Sequence, residues 1–149
     1  MSISIVLADD HDLVRSGLHL LLEGEREFCV IGEAGNGCDA IELVRTLNPT
    51  VAILDISMPM LNGIETARTI SREFPKTAVI ILSMYADDSH VIEALSAGAL
   101  GYVLKSAIGS EFIEAVQTVA NHRLYLSPPL SARLLHSIQV GGGGGEPEQ

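Results

Sequence analysis

Tryptophan is absent from this chain of 149 residues, and aromatic residues make up only 4% of it. Proteins that stack the bases of single-stranded nucleic acids need several such rings, so the composition argues against that class. Basic residues are also scarce, because 9 Lys and Arg stand against 19 Asp and Glu, for a formal charge of -10. A chain this acidic repels a phosphate backbone on average, and we expect no DNA binding by this chain alone.

Cysteines and long apolar runs are few as well. Cys29 and Cys38 have neither the spacing of a zinc site nor that of a disulfide framework, and Cys29 lies in an apolar run where we expect a core position. No apolar run approaches the roughly 18 residues of a membrane helix. Residues 1–10 lack the basic start and the apolar stretch of a signal peptide. We therefore expect a cytoplasmic protein that does not bind membranes.

What the chain does contain is a regular alternation of strand-like and helix-like patterns. Hydrophobic residues make up 47% of it, and short apolar runs bounded by turn residues indicate buried parallel strands. Between them, apolar residues recur at helical spacing, which is typical of α/β folds. Five strand–helix units are predicted, and their helical patterns begin near Leu13, Ala40, Ile64, Val91 and Phe112.

Four of the apolar runs end on a polar residue. The residues that follow them are Asp9 with Asp10, Asp55, Ser83 and Lys105. In an open α/β sheet, ligands bind outside the carboxyl ends of the strands. Carboxylates clustered there repel each other, which a divalent cation such as Mg²⁺ relieves, whereas a hydroxyl and an ammonium suit phosphoryl oxygens. The sequence therefore predicts a magnesium and phosphoryl site at this edge.

These strand ends resemble those of the receiver domains of bacterial two-component response regulators. The matching pieces are residues 7–11, residues 54–59 with Gly63, residues 82–85 and residues 97–105, and the match covers roughly residues 3–121. Residues 14–18 and 83–85 are most similar to the subfamily that carries a LuxR-type helix-turn-helix domain after the receiver. The resemblance implies a single doubly wound, flavodoxin-like parallel sheet of five strands, order 2-1-3-4-5, with helices on both faces.

The resemblance also implies a role for each strand-end residue. Asp55 is the expected phosphoacceptor, since a carboxylate can attack phosphorus and form an aspartyl phosphate. The expected Mg²⁺ ligands are Asp10, Asp55 and the backbone carbonyl of Ser57, with Asp9 acting through water. Lys105 and Ser83 are expected to contact the phosphoryl group, and Ser83 and Tyr102 to switch conformation.

The family commonly has a proline after this lysine, joined by a cis peptide bond that aims the ammonium at the site. Here Ser106 takes its place. We predict a cis bond between Lys105 and Ser106 nonetheless, although it costs about 3–4 kcal/mol without proline. The five histidines show no ligand spacing, and we assign them no role.

The predicted function is signal reception that switches a protein-protein surface and is expected to control transcription through a C-terminal domain missing from this chain. A sensor histidine kinase donates a phosphoryl group to Asp55, and the fourth helix, fifth strand and fifth helix form the surface that switches, with homodimer formation as one outcome. Catalysis is limited to self-phosphorylation and slow self-dephosphorylation. A receiver that acts as a binding module without phosphorylation remains the alternative.

Two enzyme and cofactor classes compete less well with this interpretation. A phosphatase of the haloacid dehalogenase kind needs a second Asp two residues after the nucleophile, and this chain has Ser57 there. A flavin binder needs a hydroxyl- and glycine-rich loop after the first strand, where residues 9–12 read Asp-Asp-His-Asp.

We divide the chain into a receiver, residues 1–121, an extension, residues 122–140, and a flexible glycine-rich linker, residues 141–149. The extension is expected to begin with a break at residues 125–129 and to continue as a short amphipathic helix from Leu130 to Ile138. We expect no DNA-binding domain within this chain, and therefore either a shortened chain or a regulator that ends at its receiver.

Overall fold

A parallel sheet forms the centre of the computed structural model, which describes residues 2–128 and residue 130. Its strands lie in the order β2-β1-β3-β4-β5-β6, and all neighbours are parallel. The predicted order 2-1-3-4-5 is confirmed, and a short sixth strand extends it where the sequence suggested a break. The strands are β1 (Ile3–Ala8), β2 (Phe28–Ala34), β3 (Val51–Asp55), β4 (Ala78–Ser83), β5 (Gly101–Leu104) and β6 (Tyr125–Leu126).

The helices begin close to the carboxyl edge of the sheet, where side chains cap the first turns of three of them. The side chains of Asn36, Asn62 and Asp87 each accept a hydrogen bond from the backbone amide three residues later. Among the described residues, no helix combines the length and apolar character that a bilayer crossing requires. The helices are α1 (Asp12–Glu23), α2 (Gly37–Leu47), α3 (Gly63–Glu73), α4 (Asp88–Ser96) and α5 (Ser110–Ala120), and a 3-10 turn spans Lys105–Ala107.

Helices cover both faces of the sheet, as predicted, because successive strand residues point to opposite sides. Ile53 packs with residues of α1 and α5, whereas its neighbour Leu54 packs with residues of α2, α3 and α4. The central strand β3 is therefore buried throughout, and its run of apolar side chains leads directly to Asp55.

The expectation for Cys29 is wrong, whereas the predicted helix from Leu130 lies mostly outside the described residues. Cys29 was expected in the core, but it is exposed, because β2 is an edge strand and only Phe28 and Ala34 of it are fully buried. Leu130 is buried against the α2–α4 side of the sheet. The rest of the predicted helix that ends at Ile138, and the linker 141–149, lie outside the described residues.

Gly63 lets α3 begin directly against the end of β3. A Cβ at this position would lie 2.4 Å from the carbonyl oxygen of Asp55 and 2.7 Å from Cα of Ile56, both of which are backbone atoms that cannot rotate away. The backbone amide of Gly63 also donates to the Ile56 carbonyl at 3.0 Å. The position of the Asp55 backbone therefore depends on glycine here.

We expect Gly63→Ala to lower the free energy of unfolding by about 2 kcal/mol or more, since overpacking forces a backbone shift. The matched control is Gly17→Ala in α1, where a Cβ meets nothing within 4 Å. That variant should gain up to about 1 kcal/mol from helix propensity. Urea unfolding measures both, and equal stability of the two variants would contradict the close approach at Gly63.

Candidate functional site

Three carboxylates meet at the carboxyl edge of the sheet, as the strand ends predicted. β1 and β3 are neighbours, so Asp9 and Asp10 after β1 lie beside Asp55 at the end of β3. One ligand atom from each of these residues, together with one from His11, lies within 4.8 Å of all the others. Asp9 is 0% and Asp55 1% exposed, whereas Asp10 is open to solvent.

Lys105 reaches this cluster from the end of β5. Its Nζ atom lies 3.1 Å from Oδ2 of Asp55 and 3.6 Å from Oδ2 of Asp9. The predicted cis bond after Lys105 is wrong, because the described residues contain no cis peptide bond. The chain instead enters the 3-10 turn directly at Lys105, and this turn brings the ammonium to the carboxylates with a trans bond.

The buried carboxylates have oxygens that the protein leaves without hydrogen bonds. Among the described groups, Oδ2 of Asp9 and Oδ2 of Asp55 make none, and the Lys105 ammonium is the cation beside both. Burying carboxylate oxygens without hydrogen bonds is costly, and one ammonium has to serve both of them. Hard divalent cations prefer carboxylate oxygens, so this donor set fits Mg²⁺.

An open cleft of about 520 Å³ adjoins the acid cluster, and Asp10 and Ser57 both line it. The backbone amide of Ser57 lies 3.4 Å from Oδ1 of Asp55, which places the loop after β3 against the carboxylate. The role of the Ser57 carbonyl as a ligand stays a prediction. The other lining residues are Ile56, Met58, Pro59, Asn62, Ile64, Tyr85, His90 and Glu93.

Burial raises the pKa of the Asp55 carboxyl, and the negative charge of Asp9 raises it further. The Lys105 ammonium and the Ser57 amide oppose this effect without cancelling it. The fold therefore disfavours the ionised form of Asp55 when no cation is bound. A bound cation would reverse that balance by favouring the charged form.

The two predicted switch residues meet at Tyr85. Ser83 is buried and its Oγ accepts a hydrogen bond from the Tyr85 amide at 2.9 Å. Tyr102 is also buried, and its hydroxyl donates to the Tyr85 carbonyl at 2.7 Å. The loop between β4 and α4 therefore connects the end of β4 with the ring on β5.

Sequence reasoning missed residues that support this loop. The His90 ring stacks on the Tyr85 ring at 4.3 Å between centroids, and its Nδ1 lies 2.8 Å from Asp87. These residues line one wall of the cleft or cap α4 beside it. The sequence carries only a weak indication of this contact, because an Asp three residues before His90 is also the pattern of an ordinary helix cap.

His11 and Arg15 were also missed as supports of Asp9. His11 Nδ1 lies 3.1 Å from Asp10 and 3.5 Å from Asp9, and its amide donates to Asp9 Oδ1 at 2.8 Å. Arg15 Nη1 donates to the Asp9 carbonyl at 2.6 Å. The signal for His11 was its position directly after Asp9 and Asp10, since the spacing between the histidines gives none.

The raised pKa of Asp55 gives a test by pH. The folded chain holds this proton more tightly than the unfolded chain, so the free energy of unfolding falls as the pH rises through the interval between the two pKa values. We expect Asp55→Asn to be more stable than the original chain near pH 7 without divalent cations, and this advantage to shrink below about pH 4. Urea unfolding across this range measures it, and a less stable Asn variant near pH 7 would contradict it.

Asp87 provides a control of opposite sign. Its hydrogen bond with His90 is the main cause that lowers its pKa to about 2. Its ionised form therefore stabilises the fold above the ordinary carboxyl pKa, and this contribution is lost as the pH falls toward 2. Asp87→Asn should show no gain in stability near pH 7.

Comparison with known proteins gives a consistent result. A family model described as "Response regulator receiver domain" matches residues 5–117. The transcriptional regulatory protein DegU of Brevibacillus brevis is 40% identical over 133 residues, which are 89% of this chain and 56% of that protein. The chain thus spans little more than half the length of this relative.

Solved structures of such proteins share the fold. A two-component response regulator of the LuxR family from Aurantimonas sp. SI85-9A1 superposes with a TM-score of 0.87 at 29% identity, covering 92% of this chain and 98% of that one. The receiver domain of the regulator NarL from Mycobacterium tuberculosis has a TM-score of 0.78 at 34% identity, with coverage of 82% and 98%.

Proposed function

Because this chain belongs to the response regulator receiver domain family, we propose that Asp55 is its phosphoacceptor and that a sensor histidine kinase is the donor. The observation that carries this proposal is the buried Asp55 carboxylate, which lies 3.1 Å from the Lys105 ammonium and beside Asp9 and Asp10 in the acidic cluster. Asp55 is the carboxylate of the cluster that ends a strand buried throughout, and residues 56–57, which follow it, line the cleft.

In the proposed reaction, an Asp55 oxygen attacks the phosphorus of a phosphohistidine. A phosphorus–oxygen bond to Asp55 forms as the phosphorus–nitrogen bond to the donor imidazole breaks. Asp10, Asp55 and the Ser57 carbonyl would hold Mg²⁺, with Asp9 acting through water, and the bound cation would neutralise phosphoryl oxygens. The later, slow hydrolysis returns the carboxylate, so the chain acts on no substrate other than its own phosphoryl group.

Lys105 and Ser83 act on the product. The ammonium, which faces two carboxylates in the resting chain, would pair with phosphoryl oxygens, and the Ser83 hydroxyl would donate a hydrogen bond to them. Ser83 now accepts from the Tyr85 amide, so its movement would disturb the loop that also holds the Tyr102 hydroxyl. The site and the α4–β5–α5 surface are thereby linked.

Phosphorylation of Asp55 should require a divalent cation. After incubation with acetyl phosphate and Mg²⁺, intact-mass analysis should show one added phosphoryl group, which is lost with a chelator and in Asp55→Asn. Asp39→Asn is the control, since Asp39 is an exposed carboxylate on α2. An adduct that persists in Asp55→Asn would refute the assignment, and the absence of any adduct would favour a receiver that binds partners without phosphorylation.

For the output, we propose that this receiver works in the cytoplasm and contributes to the control of transcription through contacts made by the receiver. DegU is a transcriptional regulatory protein, and this chain has a charge of -10, which repels DNA. We also retain the division into a receiver, residues 1–121, an extension, residues 122–140, and a linker, residues 141–149. Self-association as a homodimer is the expected response to the phosphoryl group.

Sedimentation with beryllofluoride and Mg²⁺, which mimic the phosphoryl group, should show a larger species than sedimentation without them. Asp55→Asn should not respond. Specific DNA binding by the chain at physiological salt should be absent in both states. An unchanged monomer in the presence of beryllofluoride would contradict the proposed output.

A further inference from the structure

The segment that follows α5 lies along the outer edge of β5, the strand that carries Tyr102 and leads into Lys105. The amide of Tyr125 donates to the Leu100 carbonyl at 2.8 Å, and the amide of Ser127 donates to the Tyr102 carbonyl at 3.1 Å. We call residues 125–128 with Leu130 the C-terminal clasp. It occupies an edge that β5 would otherwise present to solvent or to another chain.

Ser127 completes this pairing in an unusual way. In a parallel ladder, the amide of Leu104 would donate to the backbone carbonyl of Ser127. Here the side-chain Oγ of Ser127 takes that place and accepts from Leu104 N at 3.0 Å, while the Ser127 carbonyl accepts from Leu130 N at 2.8 Å. The chain can therefore turn away from the sheet while the last bond of the ladder is still made.

The same hydroxyl is fixed from a second side. It donates to Oε1 of Glu111, in the first turn of α5, at 2.5 Å, and Ser127 is 0% exposed. Burial and the nearby Glu111 carboxylate raise the pKa of Tyr125 to about 12, so this phenol stays protonated beside Glu111. Leu130 packs in the same buried cluster as Tyr102.

The hydrogen bond that Ser127 Oγ accepts comes from Leu104, one residue before the lysine of the site. On its other side, Leu104 pairs with Ser83 of β4, the predicted switch hydroxyl. The next residue is Lys105, whose ammonium lies 3.1 Å from Asp55. Leu104, the residue that leads into Lys105, is thus held between β4 and the clasp.

We propose that Ser127 is a positioning residue for phosphoryl transfer, because its hydroxyl fixes the end of β5 and thereby holds the Lys105 ammonium at Asp55. This inference rests on the proposed function of Asp55. Coupling between two sites is reciprocal, so a phosphoryl group that draws Lys105 toward itself also changes how firmly the clasp is held. The clasp is then the route from the site to whatever follows residue 130.

The test measures the rate of Asp55 phosphorylation by acetyl phosphate at saturating Mg²⁺, together with the half-saturating acetyl phosphate concentration. Ser127→Ala should lower the saturated rate about fivefold or more, the usual scale of coupling between linked sites. Ser127→Thr, which keeps a hydroxyl, should recover most of this loss. Glu111→Ala should lower the saturated rate by a smaller factor. This variant replaces Ser127→Ala in the test if Ser127→Ala does not fold.

Thr77→Val is the matched control. Thr77 is also buried and its hydroxyl donates a hydrogen bond to the Pro49 carbonyl at 2.8 Å. It lies just before β4, at the amino ends of the strands and therefore away from the site. This variant should lose stability without a change in rate. If the original chain is phosphorylated and Ser127→Ala matches Thr77→Val in rate, the positioning role of Ser127 is overturned while the proposed function of Asp55 stands. If the original chain takes no phosphoryl group, the proposed function fails and the inference fails with it.

Discussion

Two buried carboxylates that share one ammonium are the constraint on which this site depends. Asp9 and Asp55 are almost fully buried, and Lys105 is the cation that faces both. Such an arrangement is stable only because the surrounding fold holds it: Gly63 allows α3 to press against the end of β3, and Arg15 holds the Asp9 carbonyl. The free energy stored by this repulsion is what a divalent cation would release.

Under the proposed function, the same constraint would let the site act as a switch. A phosphoryl group on Asp55 would add negative charge where the ammonium is already shared, so Lys105 and Ser83 must reorganise to meet it. Both are attached to elements that lead away from the site, because Ser83 contacts the Tyr85 loop and Lys105 follows the strand held by Ser127. In the proposed function, a local change in charge would therefore have two physical routes to the α4–β5–α5 surface.

Sequence reasoning placed the site well because its signal is local: polar residues that end buried apolar runs must gather at one edge of a parallel sheet. It gave Asp9, Asp10, Asp55 and Lys105 correctly as neighbours. It failed where position depends on packing between distant segments. The reach of Lys105 depends on a 3-10 turn rather than on a cis bond, and a two-residue strand such as β6 carries too little pattern to be recognised. Whether Cys29 is buried depends on which strand lies at the edge, which an apolar run does not reveal.

The measurement that tests the central claim most directly is the stability of the chain with and without Mg²⁺. If the carboxylate cluster is a preformed cation site, Mg²⁺ at about 100 times its dissociation constant should raise the free energy of unfolding by about 2.7 kcal/mol. Asp10→Ala and Asp55→Asn should lose most of this gain, whereas Asp39→Asn should retain it. Equal stability of the original chain with and without Mg²⁺ would show that the repulsion between Asp9 and Asp55 is not relieved by a cation, and the account would fail.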